Sequence, residues 1–457
     1  MEGKQMVFRR KIYQHLLEWK ESAKGEKALL IEGARRIGKT TIAKEFGKNE
    51  YKSCLLIDFN DASPAVTDAF HNYLNDLDTF FMILSTEYNT VLYPRETLII
   101  LDEIQRFPKA RQSIKKLVAD GRFDYMEIGS LISIKENVKD ITIPSEERKI
   151  SMYPLCFEEF CWALGEEQMA AYIRACFEKE EPLQEALHHK AMLLFRQFMI
   201  VGGMPKSIAA YLENGRSFQK SDEEKRDILK LYHDDIGKID GRYKTRVKSV
   251  FDQIPGFLSQ HEKRVILSGL GEDGRFASYE EAFYWMADSM IANECFRCND
   301  PAVGLSLNET RIHVKCYMGD TGLLISHTFD ENELVHEDLY KQLLLGQLSV
   351  NEGMFFENAI AQELVSRGHK LYFYTHYDKE KKRNDMEIDF LISNRSKTRY
   401  RVAPVEVKSS ERYSLKSIEK FMKKYDDRME RAYIIHTKNL KTDGKLHYIP
   451  AYMTMCI

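Results

Sequence analysis

The sequence predicts an α/β protein whose N-terminal domain is built on a parallel sheet. One observation is a G-x-x-x-x-G-K-T motif at 33–40, which follows an apolar run and precedes a helix-compatible run. A second is the uninterrupted apolar segment 98–101, which is typical of a strand buried on both faces of a parallel sheet. Helical stretches separate the apolar runs, as a parallel sheet requires. The candidate strands are 28–32, 54–59, 98–101 and 125–129.

The glycine-containing motif has the composition of a phosphate-binding loop. Glycines let the loop wrap closely around phosphates, so that backbone N–H groups and the following helix N-terminus face the anion. Lys39 can reach the β- and γ-phosphates of ATP, and the Thr40 hydroxyl can bind the accompanying Mg²⁺. Such a motif also arises by chance, but its strand–loop–helix context favours ATP binding. The candidate nucleotide-binding residues are Gly33, Ala34, Arg35, Arg36, Ile37, Gly38, Lys39, Thr40 and Thr41.

Two acidic residues follow the apolar strand 98–101. Asp102 and Glu103 lie at its carboxyl end, where open α/β sheets bind their ligands. We expect Asp102 to hold Mg²⁺, and Glu103 to orient or deprotonate the attacking water. The alternative is an ordinary acidic cap between a strand and a helix. Ser130, at the end of the strand 125–129, is a candidate sensor of the γ-phosphate or of the catalytic water.

Length and composition limit the class of protein. The chain has 457 residues, 44% hydrophobic and 30% charged, so we expect two to four domains of ordinary globular composition. No segment approaches the roughly 20 apolar residues that span a membrane, and the N-terminus does not resemble a signal peptide. We therefore expect a cytoplasmic protein with no membrane partner. Eight scattered cysteines predict reduced, buried thiols; zinc binding by Cys295, Cys298, His313 and Cys316 is the alternative.

The pattern along the chain divides it into four predicted domains: 1–160, the phosphate-binding α/β domain; 161–245, a helical lid or linker; 246–330, a winged-helix-like domain; and 331–457, a second α/β domain. The recognition-helix position of the winged-helix-like segment, at 279–283, carries no Arg, Asn or Gln. Because such residues read base edges, a packing or dimer role is favoured there over sequence-specific DNA binding.

The C-terminal domain carries a second group of chemically active residues. Glu357 lies in an apolar-periodic helix, and Asp389 lies in a predicted strand. Glu406 and Lys408 are two residues apart in the next strand, so their side chains share one face. Acids in this arrangement can hold Mg²⁺ for phosphodiester hydrolysis, while Lys408 stabilises developing negative charge. An ordinary ion pair on a strand face explains Glu406 and Lys408 equally well.

Charge is unevenly distributed along the chain. Residues 350–457 contain 21 Lys or Arg and 15 Asp or Glu, a surplus of six positive charges in a chain of net charge −3. A basic region of this kind is compatible with a polyanionic partner such as DNA. A solvated charged surface is the alternative.

Across its length the chain resembles a prokaryotic family of AAA-type ATPases with a C-terminal restriction-endonuclease-like domain of the PD-(D/E)xK type. The resemblance rests on ordered matches at 33–41, 101–105, 153–160, 202–205, 320–323, 356–358, 387–390 and 406–410. It implies ATP and Mg²⁺ as ligands, metal binding by Glu357, Asp389 and Glu406, and catalysis by Asp389, Glu406 and Lys408. One departure is the end of the sensor strand, which has a single hydroxyl, that of Ser130.

Two functional hypotheses follow. The first is an ATPase coupled to a C-terminal domain that binds, and could cut, DNA. The second is an ATP-gated protein-interaction switch with a catalytically inert nuclease-like domain. ATPases of this class often complete their sites between subunits, so a homo-oligomer with Arg36 or Arg148 acting in trans is a further expectation.

Overall fold

The computed structural model divides into two units. Unit 1 comprises Met1–Tyr153 with Asp288–Met290, and unit 2 comprises Pro154–Ala287 with Ile291–Ile457. The structure describes residues 6–129, 142–239, 241–260, 263, 265, 276–302, 304–330, 337–346, 352–378, 380, 382–395, 400–410 and 412–457. Ser130 therefore lies outside the described residues. No helix in those ranges is both long enough and apolar enough to span a bilayer.

Unit 1 is a five-stranded parallel sheet with helices, in the strand order β2-β3-β4-β1-β5. The predicted parallel α/β fold is thus confirmed; β5 is an additional strand at the sheet edge. The strands are β1 Ala28–Glu32, β2 Ser53–Asp58, β3 Thr97–Asp102, β4 Asp124–Gly129 and β5 Glu147–Ser151. The helices are α1 Ile12–Ala23, α2 Lys39–Glu50, α3 Pro64–Asn72, α4 Leu77–Glu87 and α5 Pro108–Asp120.

Strands β3 and β4 are interior strands of this sheet. Both strands are buried along their whole length, because helices cover both faces of the sheet centre. Helix starts follow local chemistry: Ser63 accepts a hydrogen bond from the backbone of Val66, and Pro64 occupies the first turn of α3. The parallel pairing of β1 with β4 and of β4 with β3 places the carboxyl ends of β1 and β3 at the same edge of the sheet.

Unit 2 combines helices with an eight-stranded mixed sheet, in the order β12-β13-β11-β10-β9-β8-β6-β7. The strands are β6 Ala292–Cys298, β7 Glu309–Met318, β8 Leu371–Asp378, β9 Arg383–Arg395, β10 Tyr400–Val407, β11 Ala432–His436, β12 Lys441–Asp443 and β13 Leu446–Pro450. The first helices are α6 Phe157–Ala163, α7 Glu167–Lys179, α8 Glu185–Val201, α9 Pro205–Glu213, α10 Phe218–Gly237 and α11 Gly241–Ser259. The others are α12 Phe276–Asp288, α13 Thr321–Thr328, α14 Glu337–Leu345, α15 Glu352–Ser366 and α16 Lys416–Lys424.

The sheet of unit 2 crosses the boundary predicted at residue 330. Strands β6 and β7 come from the winged-helix-like segment 246–330, yet β6 pairs with β8 of the C-terminal segment. The two segments therefore share one sheet. Strands β8, β9 and β10 form an antiparallel meander, and β11 runs parallel to β10. In the chain, α15 precedes the meander and α16 precedes β11.

The Gly202-Gly203 turn packs tightly against neighbouring backbone within unit 2. A Cβ atom on Gly203 would lie 2.2 Å from the carbonyl oxygen of Leu155. We predict that Gly203→Ala lowers the free energy of unfolding of unit 2 by about 1–3 kcal/mol, because the backbone must shift to accept the methyl group. Urea titration followed by tryptophan fluorescence measures this.

A matched control is Gly237→Ala at the end of α10, where the added methyl group meets no atom within 4 Å. That variant should be neutral or slightly stabilising. Equal stability of the Gly203 and Gly237 variants would contradict the packing argument.

Candidate functional site

The phosphate-binding loop connects β1 to α2 and owes its shape to two kinds of backbone constraint. Gly33 has no room for a side chain, because a Cβ would lie 2.4 Å from the carbonyl oxygen of Met152. Arg36 and Gly38 adopt left-handed backbone conformations, with φ of 71° and 92°. Helix α2 then begins at Lys39, so its first N–H groups face the concave side of the loop.

The Lys39 ammonium is buried inside this loop. Its Nζ donates hydrogen bonds to the carbonyl oxygens of Gly33, at 2.8 Å, and Ala34, at 2.7 Å. Burial lowers the pKa of Lys39 to about 8, although Glu103 and Asp102 oppose the shift. The lysine is therefore held by neutral partners at the position where phosphate oxygens would bind.

Acidic residues line the adjacent edge of the sheet. Asp102 ends β3 beside Asp58, which ends β2. Burial raises the pKa of Asp102, while hydrogen bonds from the Thr40 side chain and the Glu103 backbone lower it. The Glu103 N–H donates to Asp102 Oδ1 at 2.9 Å, and the Glu103 carboxylate accepts from Gln105 Nε2 at 2.5 Å. Thr40 and Asp102 thus meet as a pair of oxygen ligands of the kind Mg²⁺ prefers, and they fit that ion.

In unit 2 a second cluster of charged side chains forms where α15 meets β7, β9 and β10. Tyr317 donates a 2.5 Å hydrogen bond to Glu357 Oε1, and Lys263 forms an ion pair with Glu357 Oε2. Lys315 Nζ lies 3.6 Å from Glu357 Oε1 and 3.9 Å from Asp389 Oδ1. Burial alone would raise the pKa of Glu357, but Lys263 and Lys315 hold it at about 2.

The strand residues complete this cluster. Asp389 Oδ2 accepts a 2.8 Å hydrogen bond from the Val407 N–H, and burial with Glu357 nearby raises the pKa of Asp389. Glu406 is 1% exposed, and Lys408 Nζ lies 2.8 Å from its Oε2. Burial raises the pKa of Glu406 to about 7, even though Lys408 opposes the shift. The predicted residues of the C-terminal domain are therefore neighbours, and the Glu406–Lys408 ion pair is present.

The phosphate-binding loop of unit 1 lies within a region that matches a known family. Residues 25–161 match the family described as the AAA domain. Residues 25–161 are an AAA-type P-loop ATPase domain. Residues 192–333 and 352–453 match two domains of unknown function, DUF8612 and DUF4143. The match of the C-terminal region names no chemistry, so its nuclease-like identity stays a prediction.

The similarity of this chain to individual proteins of known structure is low. No curated protein matches the sequence. A Walker-type ATPase of Pyrococcus abyssi is 12% identical at a TM-score of 0.42, covering 71% of this chain and 97% of that chain. Cdc6p from Pyrobaculum aerophilum is 13% identical at 0.27, covering 76% and 97%, and AMPPCP-bound DnaA from Aquifex aeolicus is 13% identical at 0.23, covering 61% and 80%. At TM-scores below 0.5 these similarities carry no weight for function.

The other predicted nucleotide-binding residues lie in the same loop or in the first turn of α2. Ala34 and Ile37 are buried, Arg35 and Thr41 are half-buried, and Arg36 is exposed. Arg148 lies elsewhere: it pairs in register with Leu29, near the amino end of β1, and its guanidinium contacts the Ser22 hydroxyl. The phosphate loop follows the carboxyl end of β1, so the contact with Ser22 directs Arg148 away from the loop of its own chain.

Two residues that the sequence did not single out contribute to the AAA site. Arg10 donates to the carbonyl oxygens of Ile37, at 3.0 Å, and Tyr153, at 2.6 Å, so it anchors the phosphate loop from 27 residues upstream. Asp58 adds a second carboxylate beside Asp102. An acid at the end of a neighbouring strand could have indicated Asp58, whereas no motif points to Arg10.

The alternative zinc site does not form from the predicted residues. Cys295 and Cys316 are fully buried, where burial raises their thiol pKa values, and Cys298 donates to the carbonyl oxygen of Asp300. Within the described ranges, the one set of three potential ligands whose donor atoms lie within 4.8 Å of each other is Glu185, His188 and His189. Neither the cysteines nor the trio Glu357, Asp389 and Glu406 forms such a set.

The lowered pKa of Lys39 gives a pH dependence to nucleotide binding. Phosphate requires the charged ammonium, so binding must add a proton to Lys39 whenever the pH exceeds about 8. We predict that ATP affinity, measured without Mg²⁺ by fluorescent-nucleotide titration, falls about tenfold from pH 8 to pH 9.5.

Asp102→Asn is the matched variant, because Asp102 raises the pKa of Lys39. Removing that charge should move the midpoint of the affinity profile to a lower pH. A profile that stays flat between pH 7 and pH 9.5 in the unmodified protein would contradict the role of Lys39.

Proposed function

We propose that this protein hydrolyses MgATP in its AAA domain and uses the nucleotide cycle to control a C-terminal domain that binds DNA. The observation that carries the ATPase proposal is the meeting of Lys39, Thr40, Asp102 and Glu103 at one sheet edge. Each of these side chains has a separate task in phosphoryl transfer, and all four lie within unit 1.

The chemistry follows from the partners that each side chain has now. Lys39 can exchange the carbonyl oxygens of Gly33 and Ala34 for β- and γ-phosphate oxygens, which are stronger partners because they are charged. Mg²⁺, held through Thr40 and Asp102, supplies charge neutralisation of the phosphates. Glu103 lies one residue beyond the metal-binding acid and is only partly buried, so its carboxylate can orient or deprotonate water.

Substitution at Glu103 separates binding from hydrolysis. Glu103→Gln keeps the shape and the hydrogen-bonding capacity of the side chain but removes the base. We predict ATP binding near the unmodified level, with turnover lowered about 10²–10⁴-fold in a phosphate-release assay. Lys39→Ala should instead abolish ATP binding measured by calorimetry. Unchanged turnover in the Glu103 variant, or unchanged affinity in the Lys39 variant, would refute the site.

DNA binding by the C-terminal domain is a second proposed activity, favoured by the exposed face of α16. This helix buries Ile418 and Phe421, and its lysines point to solvent. The exposed lysines are Lys416, Lys420, Lys423 and Lys424. Together with the surplus of six positive charges in 350–457, this stripe suits contacts with a phosphate backbone. Ammonium groups lie beside Glu357 and Asp389, which disfavours metal-dependent cleavage of the bound DNA.

Salt dependence tests the lysine stripe. We predict that Lys416→Ala with Lys423→Ala weakens binding to duplex DNA regardless of its sequence. The slope of log affinity against log salt should fall by about 2, one unit for each lost phosphate contact. The measurement is fluorescence anisotropy at several salt concentrations.

The matched control is Lys220→Ala with Lys230→Ala, which removes two exposed lysines from α10. That pair should leave the slope unchanged. Coupling is tested in the same proteins: DNA should stimulate ATP hydrolysis in the unmodified chain and in the control, and not in the stripe variant. Equal slopes in all three proteins would overturn DNA binding through α16.

A further inference from the structure

We propose that lysine side chains take the place of metal ions in the C-terminal carboxylate cluster, so that this cluster does not bind Mg²⁺. The proposal concerns unit 2 alone and is independent of ATP hydrolysis. It rests on where three lysines lie relative to the acids that a metal-dependent nuclease would need. These lysines are Lys263, Lys315 and Lys408.

Lys315 occupies the centre of the cluster. It lies in β7 and is 1% exposed. Its Nζ is 3.6 Å from Glu357, 3.7 Å from Glu387 and 3.9 Å from Asp389, measured to one carboxylate oxygen of each. These near-equal distances to oxygens from α15 and β9 place one positive charge where a metal ion would have to lie. These three carboxylates are the charged partners of the Lys315 ammonium.

Two further lysines form ion pairs with acids of the cluster. Lys263 is ion-paired with Glu357 Oε2, and Tyr317 donates to Glu357 Oε1, so both oxygens of that acid have donors. Lys408 lies 2.8 Å from Glu406 Oε2. Every acid of the predicted metal site therefore has an ammonium group within 4 Å.

Charge and geometry together exclude a resident divalent ion. Four carboxylates, those of Glu357, Glu387, Asp389 and Glu406, face three ammonium groups, so the cluster is nearly neutral without metal. Mg²⁺ needs oxygen ligands at about 2.0–2.1 Å in octahedral geometry, and a buried ammonium in their midst both repels it and fills its place. The predicted trio of acids does not form a ligand set within 4.8 Å, in agreement with this view.

Metal binding tests the proposal without relying on enzymatic activity. The full-length protein, free of nucleotide, is titrated with Mn²⁺ while free Mn²⁺ is measured by electron paramagnetic resonance. Unmodified protein and Asp389→Asn should bind the same number of Mn²⁺ ions with the same affinity. Any Mn²⁺ held by the AAA domain or by surface acids is common to both proteins and cancels in the comparison.

A variant that lacks the central ammonium should gain a metal site and bind more Mn²⁺. Lys315→Met keeps the length of the side chain and removes the charge, so it should bind one more Mn²⁺ than the unmodified protein. Adding Asp389→Asn to that variant should abolish the extra ion. The proposal is overturned if the unmodified protein binds a Mn²⁺ that Asp389→Asn removes. This outcome is readable even where Lys315→Met fails to fold.

Discussion

A buried network of hydrogen bonds around Asp320 fixes the arrangement on which unit 2 depends. The Asp320 carboxylate accepts from the Gly203 N–H at 2.5 Å, from the Leu323 N–H at 2.9 Å and from the Gln362 amide at 3.3 Å. Asp320, which lies between β7 and α13, thereby joins three segments: the glycine turn before α9, the first turn of α13, and α15. Burial raises the pKa of Asp320, which these donors oppose, so each donor is needed to keep the carboxylate satisfied. Loss of one partner of such a buried group costs about 1–3 kcal/mol or more.

The same network positions the charged cluster. Asn358, which follows Glu357 in α15, donates to the carbonyl of Met318 at 3.2 Å and accepts from its N–H at 2.8 Å. This two-way contact fixes α15 against the end of β7. Glu357 is then held facing Tyr317 and Lys315, residues that precede Met318 on that strand. The contact of Asn358 with Met318 thus brings the Glu357 carboxylate to Tyr317 and Lys315.

Sequence reasoning predicted the AAA domain well because its signals are local. The loop at 33–40, the apolar strand β3 and the acids after it are each a contiguous run with one structural meaning. Of the C-terminal cluster, the sequence predicted only Glu357, Asp389, Glu406 and Lys408. Lys263 and Lys315 carry no motif, and Lys315 enters the cluster only because β6 and β7 join the C-terminal sheet. That pairing joins residues 76 apart, such as Cys295 and Leu371, so hydrophobic patterning in either segment could not reveal it.

Lys39 and Lys315 are both buried lysines, but they have partners of opposite kinds. Lys39 is held by neutral carbonyls, and its burial lowers its pKa, so an arriving phosphate provides the charged partner that it lacks. Lys315 already has three carboxylate partners that raise its pKa, so it gains nothing from an anion and opposes a cation. Removing one member of a compensated buried group typically costs about 3–5 kcal/mol, because it leaves the other charges unpaired. Lys39, whose hydrogen bonds go to neutral carbonyl oxygens of the phosphate loop, therefore stays open to an anionic ligand, whereas Lys315 does not.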